Sequence, residues 1–287
     1  MTNKPAGRLI EPRSLFKATA VNHIAYGVSD YARSRDFYMD VFGMKCVFDD
    51  GTKCSVAFGS PEHAIYIVKS RQPNGAPLVD HLAFSIAAFD LDKVAAELRK
   101  YGFEPENDGV HAWTILDPDG YRIQICDETG VFPGAALPGA TSEGKIPSGS
   151  AAQRPGVFRT TAVNHIAYTV PDYAKSRDFY MDLLGMRLAF EDGLKCSVAF
   201  GSPESAMYLT KSRQPGGKPM VDHLALSVAD FDLADSEAKL KRLGLHPEAD
   251  GDYAWTILDP DGYRVQVCAE TGVYPGAARD PYHVPVK

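Results

Sequence analysis

Two histidines and one glutamine recur at the same relative positions in both halves of the chain. They are His23, His81 and Gln124 in the first half and His165, His223 and Gln266 in the second. Imidazole is the commonest protein ligand for iron, zinc, nickel and copper, and amide oxygens ligate hard divalent ions. The three positions of each half are far apart in sequence, so their side chains can meet only if separate strands bring them together. We therefore predict one metal site in each half.

The repeat also separates these histidines from the others. His63 becomes Ser205 in the second half and His111 becomes Tyr253, so neither is kept. The alternative is that the retained histidines are structural, because a lone histidine on a strand is often a buried core residue. The two halves are also similar enough for a recent duplication to explain the shared residues.

The repeat has the length of a domain. The stretch VNHIAY at Val21–Tyr26 returns at Val163–Tyr168, and the same offset aligns the later motifs without insertions. A period of this size indicates two tandem modules, predicted at 16–138 and 157–280. The segment 139–156 is rich in Gly, Ser, Ala and Pro and is predicted to be a linker. The tails are 1–15 and 281–287.

The elements that must position these side chains follow one order, twice in each module. VNHIAYGV is a strand, DYARSRDFYMDVFG is a helix with Asp30 as its N-cap and Gly43 at its end, and three short strands follow. The order restarts at VDHLAFSI. Its helix, DLDKVAAELRKYG, is predicted to place Val94, Leu98 and Tyr101 on one face. HAWTILD and YRIQIC are the clearest of the last three strands.

Strand alternation assigns the candidate ligands to one face of the sheet. Val21 and His23 share a face in the first strand, Val79 and His81 share one in VDHLAFSI, and Asp80 should point the other way. Tyr66, Gln124 and Cys126 join the face of small residues, and Tyr208, Gln266 and Cys268 do so in the second module. The opposite face carries large apolar residues, so a cleft is expected on the histidine side.

Bulk composition limits the function classes. The 287 residues carry a formal charge of −7, which gives no basic footprint for nucleic acid, and no apolar run is long enough to span a bilayer. The five cysteines are too few and odd in number for a disulfide framework, and the N-terminus lacks the apolar core of a secretory signal. We expect a cytoplasmic protein with reduced thiols and a small-molecule substrate, without nucleic-acid or membrane partners, as a monomer or a homodimer.

These motifs resemble the vicinal oxygen chelate superfamily, which includes glyoxalase I, extradiol dioxygenases and bleomycin-resistance proteins. The strongest local matches are VNHIAYGV with SRDFYMDVFGM, VDHLAFSI and DPDGYRIQI, and the resemblance covers the chain apart from its tails and linker. It implies an α+β fold in which each module joins two βαβββ units into a cupped mixed sheet, with helices outside and a metal in the cup.

The resemblance also implies roles for individual residues. His23 and His81 match the first-strand ligands, and Gln124 matches a last-strand ligand that is usually glutamate. Tyr66 stands where glyoxalase-like members place a fourth ligand, so the remaining pattern is closer to the extradiol dioxygenases, with Fe(II) or Mn(II) favoured and Zn(II), Ni(II) or Cu(II) as alternatives. Beyond the metal ligands, the expected catalytic residues are Tyr66 and Tyr208, and the expected substrate-binding residues are Arg122, Arg264, Trp113 and Trp255.

The glutamine leaves the reaction open. An amide cancels no charge on a divalent metal, which favours Lewis-acid chemistry over oxygen chemistry because it donates less electron density. Ligand geometry favours an extradiol-type dioxygenase acting on a small aromatic or enolisable substrate bound bidentately. The alternatives are a glyoxalase- or epimerase-like isomerase or lyase, and a non-catalytic protein of the bleomycin-resistance kind that binds a small molecule.

Overall fold

The structure is a computed structural model that describes residues 14–60, 62–128, 131–135, 155–212 and 217–277. The elements of the first module, in chain order, are β1 Ala18–Val28, α1 Tyr31–Phe42, β2 Lys45–Asp49, β3 Lys53–Phe58, β4 His63–Lys69, β5 Leu78–Ile86, α2 Leu91–Lys100, β6 Glu106–Asn107, β7 Ala112–Leu116 and β8 Arg122–Cys126. The predicted order of strand, helix and three strands is confirmed for both units.

The second module repeats this order. Its elements are β9 Thr160–Val170, α3 Tyr173–Leu184, β10 Arg187–Glu191, β11 Lys195–Phe200, β12 Ser205–Lys211, β13 Met220–Val228, α4 Leu233–Arg242, β14 Glu248–Ala249, β15 Ala254–Leu258 and β16 Arg264–Cys268. The predicted linker lies outside the described residues except for 155 and 156, as do residues 1–13 of the N-terminal tail and the whole tail 281–287.

Each module folds into one mixed sheet of eight strands. The order is β2-β3-β4-β1-β5-β8-β7-β6 in the first module and β10-β11-β12-β9-β13-β16-β15-β14 in the second. β1 and β5 pair antiparallel at the centre, and each pairs in parallel with the last strand of its own unit. Each sheet is built from a single module, so each cup forms within its module.

Local sequence sets the helix ends. The Asp30 side chain accepts hydrogen bonds from the backbone of Ala32 and Arg33, and α1 ends at Gly43, which has φ 65°. The second helix stops at Lys100, one residue before Tyr101, whose side chain is exposed. Tyr101, predicted to share a helix face with Val94 and Leu98, is therefore the residue that follows the helix and does not join these two in the core. No helix in the described ranges has the length and apolarity that a membrane span requires.

One continuous apolar core joins the two modules. Large aromatic side chains of both modules belong to it, and the Phe84 ring lies 6.2 Å from Tyr180 and 5.6 Å from Phe200. The helices cover this apolar face of each sheet, because α1 contacts β3 and β4 and α2 contacts β7. The opposite face of each sheet is left to form the cup.

The DPDG turns dock each module on the other. Asp117 Oδ2 accepts hydrogen bonds from the hydroxyls of Tyr168 and Tyr180, each at 3.1 Å. In the reciprocal contact, Asp259 Oδ2 accepts one from the Tyr38 hydroxyl at 2.9 Å. The other oxygen of each aspartate closes its own turn by accepting from two backbone N–H groups. The DPDG turns at residues 117–120 and 259–262 thus form the contact between the modules.

Candidate metal centres in the two cups

Two rows of side chains cross the cup face of the first sheet. Strand register gives the first row as Ala57, Ala64, His23, Ala83, Gln124 and Thr114 and the second row as Ser55, Tyr66, Ala25, His81, Arg122 and Leu116. His23 and Gln124 are therefore separated only by the small side chain of Ala83, and His81 lies one row below that gap. The register places the three predicted ligands at neighbouring positions of the cup face, and the second module repeats this with Ala225 between His165 and Gln266.

Register shifts lie immediately before both histidines of the first module. One falls between Val21 and His23, and another falls opposite Asp80, between the pairs Ala25–His81 and Tyr26–Val79. A shifted residue interrupts the alternation of faces. Val21 and Val79 consequently belong to the main apolar core, which corrects their predicted placement beside the histidines.

The same shifts bring the preceding residues onto the histidine rings. Asp80 Oδ2 lies 2.9 Å from His81 Nδ1, and Asp222 Oδ2 lies 2.8 Å from His223 Nδ1. The prediction that Asp80 faces away is therefore wrong, because it assumed a regular strand, and Asp222 makes the same contact in the second module. The partner of His23 Nδ1 is Asn22 Oδ1, at 2.9 Å.

The hydrogen-bond partners determine which ring nitrogen is free. Asn22 uses its Nδ2 to donate to Ser85 and to the backbone of Asp127, so its oxygen faces His23 and must accept from Nδ1–H. The Asp80 carboxylate likewise accepts from His81 Nδ1–H. In the neutral rings both Nε2 atoms then carry lone pairs, which is the tautomer that metal ligation requires.

The free nitrogens face each other at short range. Nε2 of His23 lies 2.9 Å from Nε2 of His81, and the corresponding distance between His165 and His223 is 3.0 Å. Two lone pairs at this separation repel unless the rings share a proton or a metal ion lies between them. Neighbouring ligands with bonds of about 2.1 Å that subtend roughly 90° also lie about 3 Å apart. The histidine pairs therefore fit a shared metal ion.

Burial favours the neutral form of the inner histidine. His23 and His165 are buried, and this desolvation, followed by the neighbouring His81 and His223, holds the pKa of His23 and of His165 well below the usual range. Neutral imidazoles are the form that binds metal. The cysteines nearby are unsuited to ligation, because burial raises the pKa of Cys126 and of Cys268 and keeps both thiols protonated.

The glutamine is the predicted third donor of each cup. Gln124 is 3% exposed and Gln266 is 1% exposed, and the Nε2 of each donates to an aspartate, Asp108 or Asp250. The amide oxygens consequently point away from these aspartates. Gln266 Oε1 is buried and has no hydrogen-bond partner within the described ranges, and Gln124 Oε1 has Cys126 Sγ at 3.9 Å. No three His, Cys, Asp or Glu side chains of the described residues form a ligand cluster, so a third ligand would be of another residue type, as the predicted glutamine is.

The open rim of the cup carries the remaining polar candidates. Tyr66 and Tyr208 are partly exposed, and the Tyr208 ring lies 6.4 Å from the His165 ring and 5.8 Å from Lys195 Nζ. Arg264 is more exposed and donates to Asp222 at 3.1 Å. Tyr208 and Arg264 thus stand on either side of the histidine pair in the second row, where a ligand entering from solvent would pass.

The tryptophans lie on the other side of the sheet. Trp113 pairs with Ile125 on the apolar face, donates from its indole to the Leu91 carbonyl at 2.8 Å and packs under α2. Trp255 makes the same bond to Leu233, at 2.7 Å. Their predicted role in substrate binding within the cup is therefore wrong, since each faces away from the histidines.

A short segment after the last strand closes one end of each cup. We define the cap segments as residues 131–135 and 273–277. Phe132 packs on Ala57 and Ala64 with its ring 6.2 Å from that of His23, and Tyr274 occupies the same place against His165 at 6.0 Å. Tyr274 also donates its hydroxyl to Glu204. The row of alanines beneath each cap segment is the only sign of this closure in the sequence.

Sequence reasoning missed the aspartates behind the glutamines. Asp108 and Asp250 lie in the turns after β6 and β14, sixteen residues before the glutamines they contact, and no periodicity links them. Their retention in both halves was the available signal. His63, which the second half replaces with Ser205, makes a backbone contact: His63 and Ser205 each donate to the carbonyl of a core strand, Val21 or Val163.

The sequence matches a known family in both modules. The profile of the Glyoxalase/Bleomycin resistance protein/Dioxygenase superfamily matches residues 20–125 and 162–267. These two ranges contain every strand of both sheets except the first residues of β1 and β9 and the last residues of β8 and β16.

Solved structures share the fold at low sequence identity. The Mn(II)-bound glyoxalase from Novosphingobium aromaticivorans is 20% identical with a TM-score of 0.66, covering 89% of this chain and 83% of that one. The 2,3-dioxygenase LapB from Pseudomonas sp. KL28 is 14% identical with a TM-score of 0.67, over 95% and 98%. Homoprotocatechuate 2,3-dioxygenase from Brevibacterium fuscum, in complex with 3,4-dihydroxyphenylacetate, is 20% identical with a TM-score of 0.64, over 96% and 88%.

Proposed function

Because the chain belongs to the Glyoxalase/Bleomycin resistance protein/Dioxygenase superfamily, we propose that each cup binds one divalent metal ion. The ligands are His23, His81 and Gln124 in the first cup and His165, His223 and Gln266 in the second. The observation that carries this proposal is the pair of Nε2 atoms, 2.9 Å apart in one cup and 3.0 Å in the other, whose Nδ1–H groups are already engaged elsewhere. A metal ion held by both lone pairs would relieve the repulsion between them.

The activity we propose is extradiol-type ring cleavage of a small anionic catechol. Bound Fe(II) or Mn(II) would supply the redox centre and the Lewis acid for the reaction. The rim supports an anionic substrate, because Lys195 and Arg264 flank the second cup and Lys53 and Arg122 hold the same positions in the first. Tyr66 and Tyr208 are placed to hydrogen-bond a substrate oxygen, and the cap segments exclude water from the opposite end.

One observation favours a second candidate, a Lewis-acid isomerase or lyase. The third donor is an amide, which leaves the full charge on the metal and strengthens its pull on a bound enolate or carboxylate. The same rim cations would serve such a substrate. The likeness to a Mn(II)-bound glyoxalase structure is compatible with this candidate.

The metal is the first test. The full chain is loaded anaerobically with Fe(II), Mn(II), Zn(II), Ni(II) or Cu(II), and bound metal is counted after desalting. Two ions per chain in the wild type, falling to one in His81→Ala and to none in His81→Ala with His223→Ala, support the proposed sites. A folded wild type that retains no metal rejects them.

Turnover separates the candidate activities. Oxygen consumption with 3,4-dihydroxyphenylacetate or another carboxylated catechol, coupled to appearance of a ring-cleaved product, supports the dioxygenase. Metal loading without oxygen consumption, combined with isomerisation of an enolisable substrate, supports the Lewis-acid enzyme instead. Binding of a catechol without turnover indicates a non-catalytic binding protein.

A further inference from the structure

We propose that Asp108 and Asp250 are positioning residues that complete the metal centres from behind the glutamines. Each fixes which end of the glutamine amide faces the histidines and supplies the negative charge that a neutral third ligand lacks. This inference rests on the proposed metal sites. It accounts for an amide at a position where the family resemblance implies a carboxylate.

The contact is the same in both modules. Gln124 Nε2 donates to Asp108 Oδ2, and Gln266 Nε2 donates to Asp250 Oδ2 at 2.6 Å. In the second module the amide nitrogen also lies 3.3 Å from Thr256 Oγ1. Each aspartate is held in its hairpin by a backbone bond, from Asp108 to Ala112 at 3.1 Å and from Asp250 to Ala254 at 3.0 Å.

The contact determines the orientation of the amide. An amide group has one end that donates and one that accepts, and a carboxylate can engage only the donating end. With Nε2 held by the aspartate, Oε1 is the end of the amide that remains available to a ligand in the cup. Gln266 Oε1 is buried and lacks any hydrogen-bond partner in the described part of the chain. An unsatisfied buried acceptor is unfavourable, and a bound cation would satisfy it.

The contact also makes the amide oxygen, the proposed metal ligand, more negative. A hydrogen bond from an amide to a carboxylate is charge-assisted and increases the electron density on the amide oxygen. Asp108 and Asp250 are exposed residues, whereas the glutamines are buried. The carboxylate can therefore stay hydrated at the surface while its hydrogen bond polarises the buried amide. This arrangement avoids the cost of burying a carboxylate.

The other two ligands are supported in the same manner. His23 Nδ1 donates to the Asn22 amide, and His81 Nδ1 donates to the Asp80 carboxylate. Each of the three ligands thus has an oxygen acceptor behind it, and two of these acceptors are carboxylates. Such outer partners orient a ligand and raise its basicity.

A titration of the full chain with Mn(II) tests the role of Asp250. The Asp250→Asn variant keeps a side-chain oxygen that can accept from Gln266 but removes the charge. We expect its second site to bind Mn(II) about ten- to a hundredfold more weakly, the range for outer-shell changes, while the first module retains wild-type affinity as an internal reference. Glu248→Gln, a change of the same kind at an exposed position two residues earlier, is the matched control and should leave both sites unaltered.

A charge exchange distinguishes this role from a purely structural one. In the double variant Gln266→Glu with Asp250→Asn, the carboxylate moves to the ligand and the amide moves behind it, so we expect Mn(II) affinity to return to at least the wild-type value. A purely structural defect would not be rescued by this exchange. If the wild type binds two Mn(II) ions and the second site of Asp250→Asn keeps wild-type affinity, the role of Asp250 is rejected while the proposed metal sites stand. Absence of Mn(II) binding in the folded wild type would overturn the proposed sites together with it.

Discussion

Tyr38 in α1 of the first module donates a hydrogen bond to Asp259 in the β15–β16 turn of the second, at 2.9 Å, and both residues are buried. Removing the hydroxyl leaves a buried carboxylate oxygen without that donor. We therefore expect Tyr38→Phe to lower the free energy of unfolding by about 1–3 kcal/mol. Urea denaturation followed by tyrosine and tryptophan fluorescence measures this.

The counterpart contact provides the control. Asp117 accepts from both Tyr168 and Tyr180, so Tyr180→Phe leaves one phenol in place. Tyr180→Phe should therefore lower the free energy of unfolding by less than Tyr38→Phe does. Equal losses would show that the hydroxyl of Tyr38 has no special role in docking the modules.

The same aspartate makes stability depend on pH. Burial is the largest influence on Asp259, and it raises the pKa of that carboxyl from 3.8 to about 6. A carboxyl with a raised pKa binds more protons in the folded state, so its contribution is greatest below about pH 4 and is lost as the pH rises through about 6. The loss is on the order of 3 kcal/mol for two pKa units.

Asp259→Asn isolates this effect, because it removes the titrating group and keeps an acceptor for the turn. We expect the free energy of unfolding of the wild type, relative to this variant, to fall by roughly 2–3 kcal/mol between pH 4 and pH 7. Asp182→Asn, at an exposed carboxylate, is the comparison. Parallel stability profiles for wild type and Asp259→Asn would refute the expectation.

The carboxylates behind the outer histidines should control metal affinity. Asp80→Ala removes the acceptor from His81 Nδ1, and Asp222→Ala removes that of His223. The ring then loses its fixed tautomer and orientation, and we expect metal affinity of the altered cup to drop about ten- to a hundredfold. Competition with a chromophoric chelator measures both cups, and the unaltered one is the reference. Unchanged affinity in the altered cup would mean that His81 is held by packing alone.

The first cap segment depends on a glycine. Gly134 has φ +83°, and a Cβ there would lie 2.4 Å from the Val47 carbonyl oxygen. Gly134→Ala should therefore displace the segment that places Phe132 on His23, and it should cost more stability than the roughly 1–2 kcal/mol of left-handed strain alone. Gly120→Ala is the control, since Gly120 has φ +84° with nothing within 4 Å of a Cβ. Faster amide hydrogen exchange at residues 131–135 only in Gly134→Ala would report the opening.

Much of the architecture could be predicted because the sequence repeats its elements four times. The caps Asp30 and Gly43, the element order of each unit and the common sheet face of His23, His81 and Gln124 all follow from local patterns. The failures have two physical causes. Register shifts before His23 and His81 break the alternation that placed Val21, Val79 and Asp80.

The second cause is that some residues are assigned by residue type and not by their position in a strand. Trp113 was expected in the cup for its aromatic character, although its neighbour Thr114 pairs with Gln124 and so occupies the cup face. Asp108 acts from a turn, where no period applies. Contacts made by turns depend on how distant strands curve, and a single sequence does not contain that information.

The paired contacts between the modules have a consequence for assembly. Tyr38 with Asp259 and Tyr180 with Asp117 are the same contact with the modules exchanged, so the interface is isologous, as in a twofold homodimer. A protein with one module could form it only by association, and its population would fall on dilution. Joining the copies in one chain makes the contact intramolecular. Its occupancy is then set by a fixed effective concentration and is independent of the amount of protein present.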